Sequence, residues 1–195
     1  MPESLASIPA VRVGSVIPDF EVVAYANGEV ELFNLSDFQN RWLVLFFYPA
    51  DFSFICPTEL SELADRSADF GKHNVQLASV SMDSVYVHKA WVNSDNRLKD
   101  IRFPMISDNG GDLSRTFGTY CDKEKMSKRG TFIIDPDGIL VSMEITNNSF
   151  GRNVDELIRK IDAAAFVRAN PDQACPANWK PGKSSIAIQL GKQTF

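Results

Sequence analysis

Cys56 is the residue of this sequence whose type and position are best suited to chemistry. It lies in PADFSFICPTE, residues 49–59, directly after the most apolar run of the chain, WLVLFFY at 42–48. Free cysteines are commonly buried and unreactive. A cysteine in the first turn of a helix is different, because free backbone N–H groups and the positive end of the helix dipole favour the nucleophilic thiolate there. The spacing of the residues alone leaves open which electrophile such a thiolate attacks.

The residues around Cys56 predict that a helix starts at this point. Pro57 suits the first helical position, and the pattern continues to about Lys72, with acidic residues in the early turns and apolar residues at helical spacing. One of the acids is Glu59. Upstream, Pro49 and Ser53 lie on the loop that leads into the helix, where a serine hydroxyl can hydrogen-bond to the sulfur or to a substrate oxygen.

Strand and helix patterns alternate along the chain and supply the scaffold for this loop. A hairpin is predicted over residues 21–35, because Asn27-Gly28 suits a tight turn between two strands. The expected order after it is strand, helix, strand, helix, strand, strand, helix. These elements are a strand at 42–48, a helix at 57–72, a strand at 75–82, a helix capped by Asp83 or Ser84 that runs through His88 and Trp91, two strands around the Pro-Asp-Gly turn within 131–145, and a long helix capped by Asn153.

This order predicts an α/β protein with a thioredoxin-like fold, an N-terminal β-hairpin extension and a C-terminal arm. The early alternation implies parallel strands with crossover helices, and the late strand pair adds an antiparallel edge. The domain is expected over residues 11–169. Residues 170–195 contain three prolines and are expected to form the extended arm.

The composition argues against several classes of protein. The net charge is −5, with acids and bases interspersed, which does not favour a nucleic-acid partner. The longest apolar run has seven residues, too few to span a membrane. The N-terminus shows no secretory signal, so a cytoplasmic location is expected. Three cysteines and two histidines without suitable spacing predict neither a disulfide scaffold nor a metal site, and no cofactor is expected.

Several segments resemble those of one family, the peroxiredoxins. Pro49-x-x-x-Ser53-x-x-Cys56, within FFYPADFSFICPTE, resembles the active-site signature of these thiol peroxidases, with serine where threonine is more usual. Cys175, within ACPANWKPG, resembles the resolving cysteine of the typical two-cysteine group. The segment KRGTFIIDPDG resembles the strand that carries the catalytic arginine, which places that role on Arg129. Within the family, the resemblance is closest to the peroxidase component of bacterial-type alkyl hydroperoxide reductases.

This resemblance, which covers residues 11 to 190, implies an activity. The protein would reduce hydrogen peroxide and organic hydroperoxides through a sulfenic acid on Cys56. Cys175 on the arm of a partner protomer would then form the disulfide, which implies a homodimer that assembles into a decamer. Arg129 would hold the peroxide and the thiolate, and Glu59 would orient the hydrogen bonds, although a glutamate in the first turn also suits the helix dipole. The disulfide would be reduced by a flavoprotein or by thioredoxin.

Alternatives to a peroxidase are a thiol–disulfide oxidoreductase and a redox-dependent chaperone or peroxide sensor. The first calls for a Cys-x-x-Cys motif, and Cys56-Pro57-Thr58-Glu59 lacks the second cysteine. Light scattering by an aggregating client protein would distinguish a redox-dependent chaperone from a protein with peroxidase activity alone. Cys121 is expected to be a bystander and His88 a structural residue. Gly-Gly-Leu-Gly and Tyr-Phe motifs accompany over-oxidation in this family, and residues 109–113 (NGGDL) and 193–195 (QTF) do not match them.

Overall fold

The computed structural model describes residues 11–188 and divides the chain into two units, one that extends to Arg152 and one that begins at Asn153. The elements of the first unit are β1 (Glu21–Ala26), β2 (Glu29–Asn34), β3 (Trp42–Phe47), α1 (Cys56–Asp65), α2 (Ser67–Gly71), β4 (Val75–Ser81), α3 (Val85–Ser94), β5 (Met105–Ser107), α4 (Asp112–Thr116), β6 (Tyr120–Cys121), β7 (Met126–Ser127), β8 (Arg129–Ile134) and β9 (Leu140–Thr146). Those of the second unit are α5 (Val154–Ala169), β10 (Gln173–Ala174) and β11 (Ile186–Ala187).

The predicted N-terminal hairpin is confirmed as β1 and β2. Its turn residues Asn27 and Gly28 both have positive φ, 52° and 90°. This left-handed conformation suits the right-handed twist of a two-residue hairpin, and asparagine and glycine adopt it most readily. The turn chemistry that could be read in the sequence therefore sets the register, in which Ala26 pairs with Glu29.

A seven-stranded mixed sheet forms the centre of the first unit, in the order β2-β1-β5-β4-β3-β8-β9. Strands β3 and β4 are parallel, and β8 and β9 add antiparallel strands beside β3, as predicted. Strand β5 lies parallel to β4. Every residue of β3 is buried, as expected for a continuous apolar strand in the middle of a sheet. Phe47 of β3 pairs with Gly130 of β8, so Arg129 lies where β3 ends and the loop toward Cys56 begins.

Several short elements were not predicted. Strand β5 has three residues, too few for a periodic pattern, yet it joins the hairpin to the rest of the sheet by pairing with both β1 and β4. Helix α4, with five residues, and the strands β6 and β7, with two residues each, are also short. The single helix predicted to Lys72 is divided at Arg66, whose φ of −93° and ψ of 13° interrupt the helical conformation.

The core beneath β3 is rich in aromatic side chains. Phe47, Phe117 and Phe132 are almost fully buried and contact one another, with ring centroids 4.9–5.4 Å apart. Two of these three contacts are edge-on, the arrangement that the charge distribution of aromatic rings favours. This packing fixes the adjacent ends of β3 and β8, from which the loop and Arg129 extend.

The second unit starts with the predicted long helix, α5. The side chain of its N-cap residue Asn153 accepts a hydrogen bond from the backbone N–H of Glu156 at 3.0 Å, which confirms the predicted cap. After α5, the segment expected to be an extended arm includes the short antiparallel pair β10–β11. Trp179 packs on Phe166 of α5, with ring centroids 4.7 Å apart. The domain boundary predicted after residue 169 stays a prediction.

None of the helices within residues 11–188 combines the length and the apolar character needed to cross a membrane. In the same part of the chain, no group of three or more His, Cys, Asp or Glu side chains could hold a metal ion. The QTF sequence at 193–195 and the sequence before residue 11 lie outside the described residues.

Candidate active site

Cys56 is the first residue of α1, one position before the predicted start. Ile55 precedes it as the N-cap, and the Ile55 carbonyl accepts hydrogen bonds from the N–H groups of Thr58 and Glu59 at 3.0 and 3.3 Å. The sulfur therefore lies in the first helical turn, where the helix dipole favours a negative charge. The thiol is free and its residue is fully buried.

A pocket of about 300 Å³ contains Cys56. Its lining residues come from the loop before α1, the β6–β7 turn, the start of β8 and the segment after β9. They are Pro49, Ser53, Phe54, Ile55, Cys56, Glu124, Met126, Arg129 and Asn148. The structure thus brings together four of the six predicted site residues in one pocket. A further one, Glu59, accepts a hydrogen bond from Arg129.

Arg129 is held in place by contacts on several sides of its guanidinium group. Nη1 lies 3.4 Å from Sγ of Cys56 and donates to Oε2 of Glu59 at 2.6 Å. Nε and Nη2 donate to the backbone carbonyl of Asn148 at 3.3 and 3.1 Å. Glycine is needed at the next position, since a Cβ on Gly130 would approach Cγ2 of Thr119 to 2.5 Å. A buried, directed cation beside the sulfur is the result.

Arg152 belongs to this site and was not predicted. Its backbone N–H and Nε donate to Oε1 of Glu59 at 2.8 and 2.9 Å, and its Nη2 donates to Oε2 at 3.0 Å. Nη1 donates to the carbonyl of Gly130 at 2.8 Å. The guanidinium also stacks on Phe46, 3.3 Å from the ring centroid. The only signal in the sequence was an arginine before the cap of α5, which resembles any solvated charge.

Glu59 is the carboxylate that pairs with both buried arginines of the site. Burial alone would raise the pKa of Glu59, but the hydrogen bonds and charge of Arg152, with the charge of Arg129, lower it overall. Burial lowers the pKa of Arg152, and Glu59 opposes that change. One carboxylate thus pairs with two guanidinium groups. The pair of arginines retains one positive charge in excess beside the Cys56 sulfur.

Ser53 lines the pocket but does not donate its hydroxyl hydrogen to the sulfur. Its hydroxyl donates to the backbone carbonyl of Ala50 at 2.8 Å, so its oxygen can still accept a hydrogen bond from a bound molecule. The same loop is anchored by Asp51, which accepts a hydrogen bond from the Tyr48 hydroxyl and contacts Nδ1 of His88, both at 2.7 Å. Burial raises the pKa of Tyr48 and of Asp51. His88 is fully buried in these contacts, in line with a structural role.

Cys175, the other predicted thiol, belongs to the second unit. It directly follows β10, is half-buried, and its sulfur lies 3.9 Å from the carbonyl of Ala163 on α5. Cys121 lies in β6 and is also free and half-buried.

The chemistry available to the pocket is nucleophilic attack by sulfur on a small electrophile. In such a reaction, the electron pair would come from the Cys56 sulfur in the first turn of α1. Arg129 lies where its fixed donors would face negative charge that develops on a leaving atom, and preorganised donors of this kind stabilise a transition state strongly. The apolar side chains of Phe54, Ile55 and Met126 leave room for an organic substituent.

Comparison with known proteins agrees with this chemistry. Residues 13–143 match the model of the AhpC/TSA family. The chain is 41% identical over 178 residues to alkyl hydroperoxide reductase C of Salmonella typhimurium, covering 91% of this chain and 95% of the relative. It is 42% identical over 189 residues to the chloroplastic 2-Cys peroxiredoxin BAS1 of Arabidopsis thaliana, covering 94% and 71%. The crystal structure of Enterococcus faecalis AhpC is similar with a TM-score of 0.81 and 41% identity, over 84% of this chain and 98% of that one.

Proposed function

The chain belongs to the AhpC/TSA family of thiol-dependent peroxidases and has their thioredoxin-like fold, and we propose that Cys56 is the thiol that attacks the peroxide. The observation that carries this assignment is the position of Arg129, whose Nη1 lies 3.4 Å from the sulfur in a small pocket. Among the described residues, neither Cys121 nor Cys175 accepts a hydrogen bond from an arginine side chain, as Cys56 does.

The proposed reaction begins with the Cys56 thiolate and a hydroperoxide. The sulfur attacks the terminal oxygen, the O–O bond breaks, and the other oxygen leaves with the electron pair. Arg129 donates to the oxygens as charge moves onto the leaving one. The free lone pairs of the Ser53 hydroxyl accept a hydrogen bond from the substrate. The products are a sulfenic acid on Cys56 and an alkoxide or hydroxide that takes up a proton to give an alcohol or water.

We assign Cys175 as the resolving thiol. It condenses with the sulfenic acid, water leaves, and a Cys56–Cys175 disulfide forms. We place the two cysteines on different protomers of a homodimer that assembles into a decamer. Two surfaces of the first unit support contacts between protomers. Strand β9 is the last strand of the sheet, with Met143 and Ile145 partly exposed, and Phe54 beside the active site is 94% exposed.

Each turnover requires a disulfide reductase. Two electrons from a flavoprotein reductase or from thioredoxin would return both cysteines to thiols. This requirement fits a reducing compartment, and we propose the cytoplasm as the location. Hydrogen peroxide and organic hydroperoxides are the proposed substrates, because the pocket is small but has an apolar wall.

Peroxide consumption by cysteine variants tests these roles. We expect Cys56→Ser to be inactive. Cys175→Ser should consume about one peroxide equivalent per protomer and then stop, since the sulfenic acid forms but is not resolved. Cys121→Ser is the matched control and should turn over like the wild type. Steady-state turnover by Cys56→Ser would contradict the assignment.

A further inference from the structure

Glu124 has no part in the proposed reaction, yet it lines the active-site pocket. Among the described residues that form the wall of this pocket, it is the one carboxylic acid. It belongs to the turn between β6 and β7 and is exposed to solvent. Its position puts a negative charge on the path of a substrate that approaches Cys56.

The carboxylate is tied to the residue that holds Arg129. Nδ2 of Asn148 donates to Oε2 of Glu124 at 2.9 Å. The backbone carbonyl of the same asparagine accepts the two hydrogen bonds from Arg129. Glu124 is therefore anchored at the rim of the pocket, on the side where the guanidinium group is fixed.

The other charged residues of this turn do not line the pocket. Asp122 and Lys125 form an exposed ion pair at 3.8 Å. Neither they nor Lys123 is among the residues of the pocket wall. The turn as a whole has no net charge, but the charge that faces the pocket is negative.

Summing the charges of the site shows what this carboxylate changes. With Cys56 as the thiolate, it and Glu59 balance Arg129 and Arg152, so the reacting centre is neutral. Glu124 adds one negative charge that no second cation of the pocket wall compensates. A neutral hydroperoxide enters without electrostatic cost, whereas a hydroperoxide that carries an anionic group near the rim is repelled.

We propose that Glu124 is a specificity-determining residue that makes this pocket favour neutral hydroperoxides over those bearing a carboxylate or another anionic group. The inference rests on the proposed function, because it assumes that hydroperoxides react with Cys56 in this pocket. Glu124 is exposed, so solvent and salt screen its charge, and the preference it contributes is about three- to fivefold.

A pair of substrates that differ in charge at one position far from the reacting group tests the proposal, and comparing variants cancels the effect of the extra methyl group. Cumene hydroperoxide with a para carboxylate and its methyl ester present the same reacting group. We expect the wild type to show a higher kcat/KM for the ester than for the acid. Glu124→Gln keeps an oxygen that can accept from Asn148 and removes the charge, and it should shift the ester-to-acid ratio toward the acid by about three- to fivefold.

Asp122→Asn is the matched control, because it changes the net charge of the same turn equally but outside the pocket wall. Its ester-to-acid ratio should equal that of the wild type. Added salt should lower the ester-to-acid ratio of kcat/KM in the wild type and leave the same ratio in Glu124→Gln nearly unchanged. Equal shifts of the ester-to-acid ratio in Glu124→Gln and Asp122→Asn, or an unchanged ratio in Glu124→Gln, overturn the proposal but leave the assignment of peroxidase activity intact. A wild type that reduces neither these two probes nor hydrogen peroxide overturns the proposed function as well.

Discussion

Replacing Arg129 with alanine tests how the site promotes the reaction. The change removes the cation 3.4 Å from the Cys56 sulfur and the donors aimed into the pocket. Losing one preorganised donor to a developing negative charge costs about 2.7–4 kcal/mol of transition-state stabilisation. Peroxide reduction should therefore slow by about 10²- to 10³-fold.

The fold should survive this substitution because Glu59 retains a cationic partner. Arg152 still donates three hydrogen bonds to the Glu59 carboxylate, so the variant leaves no unpaired buried charge there. A loss of activity with a nearly unchanged thermal unfolding transition would then report on chemistry. Arg129→Lys keeps a positive charge but cannot contact Asn148 and Glu59 as a planar fork, and it should recover only part of the rate.

The assay is stopped-flow measurement of a single turnover, with peroxide mixed into the reduced protein and the second-order rate constant obtained from its concentration dependence. Lys128→Ala is the control, since it removes a neighbouring positive charge that is not part of the pocket wall. We expect Lys128→Ala to react at nearly the wild-type rate. Equal losses in Lys128→Ala and Arg129→Ala would refute the reasoning, because diffuse surface charge would then explain the effect.

Three further expectations concern the disulfide, acid stability and over-oxidation. Non-reducing gels of the oxidised protein should show a dimer that thiol reductant converts to monomer, and an intrachain Cys56–Cys175 disulfide in mass spectrometry would contradict this. Glu59→Gln should lower the free energy of unfolding at pH 7 by roughly 3–5 kcal/mol, because it leaves buried guanidinium groups unpaired. The lowered pKa of Glu59 means that its stabilising effect is present above its unfolded-state pKa and is lost as pH falls through the folded one. The difference in free energy of unfolding between the wild type and Glu59→Gln, measured in urea, should thus shrink below about pH 4. A difference that stays constant down to about pH 2 would exclude this linkage. Because residues 109–113 lack the Gly-Gly-Leu-Gly motif, Cys56 should resist conversion to sulfinic acid at peroxide doses that inactivate a relative with that motif, as measured by mass spectrometry; equal sensitivity of the two proteins would count against this.

Features of the fold that depend on local chemistry could be predicted from the sequence. Asn27-Gly28 specifies its turn because few residues adopt positive φ, and Asn153 caps α5 through a side chain three residues from its donor. The uninterrupted apolar run of β3 predicts a buried strand, and the proline after Cys56 predicts the start of a helix. Together they place the cysteine at the end of the loop that connects the two. These signals lie within a few residues of one another, so pattern and spacing suffice to predict them.

The set of distant side chains around the sulfur depends on tertiary packing instead. Arg152 is 93 residues from Glu59, and nothing in its neighbours distinguishes it from a solvated arginine. The pairing of β8 with β3 brings Arg129 to the loop, and Asn148 then fixes the other side of its guanidinium group. Strand β5 was missed for the same reason, since three residues have no periodicity of their own and their pairing comes from β1 and β4. Contacts of this kind arise from packing between segments far apart in the chain, and their energy is absent from any local pattern.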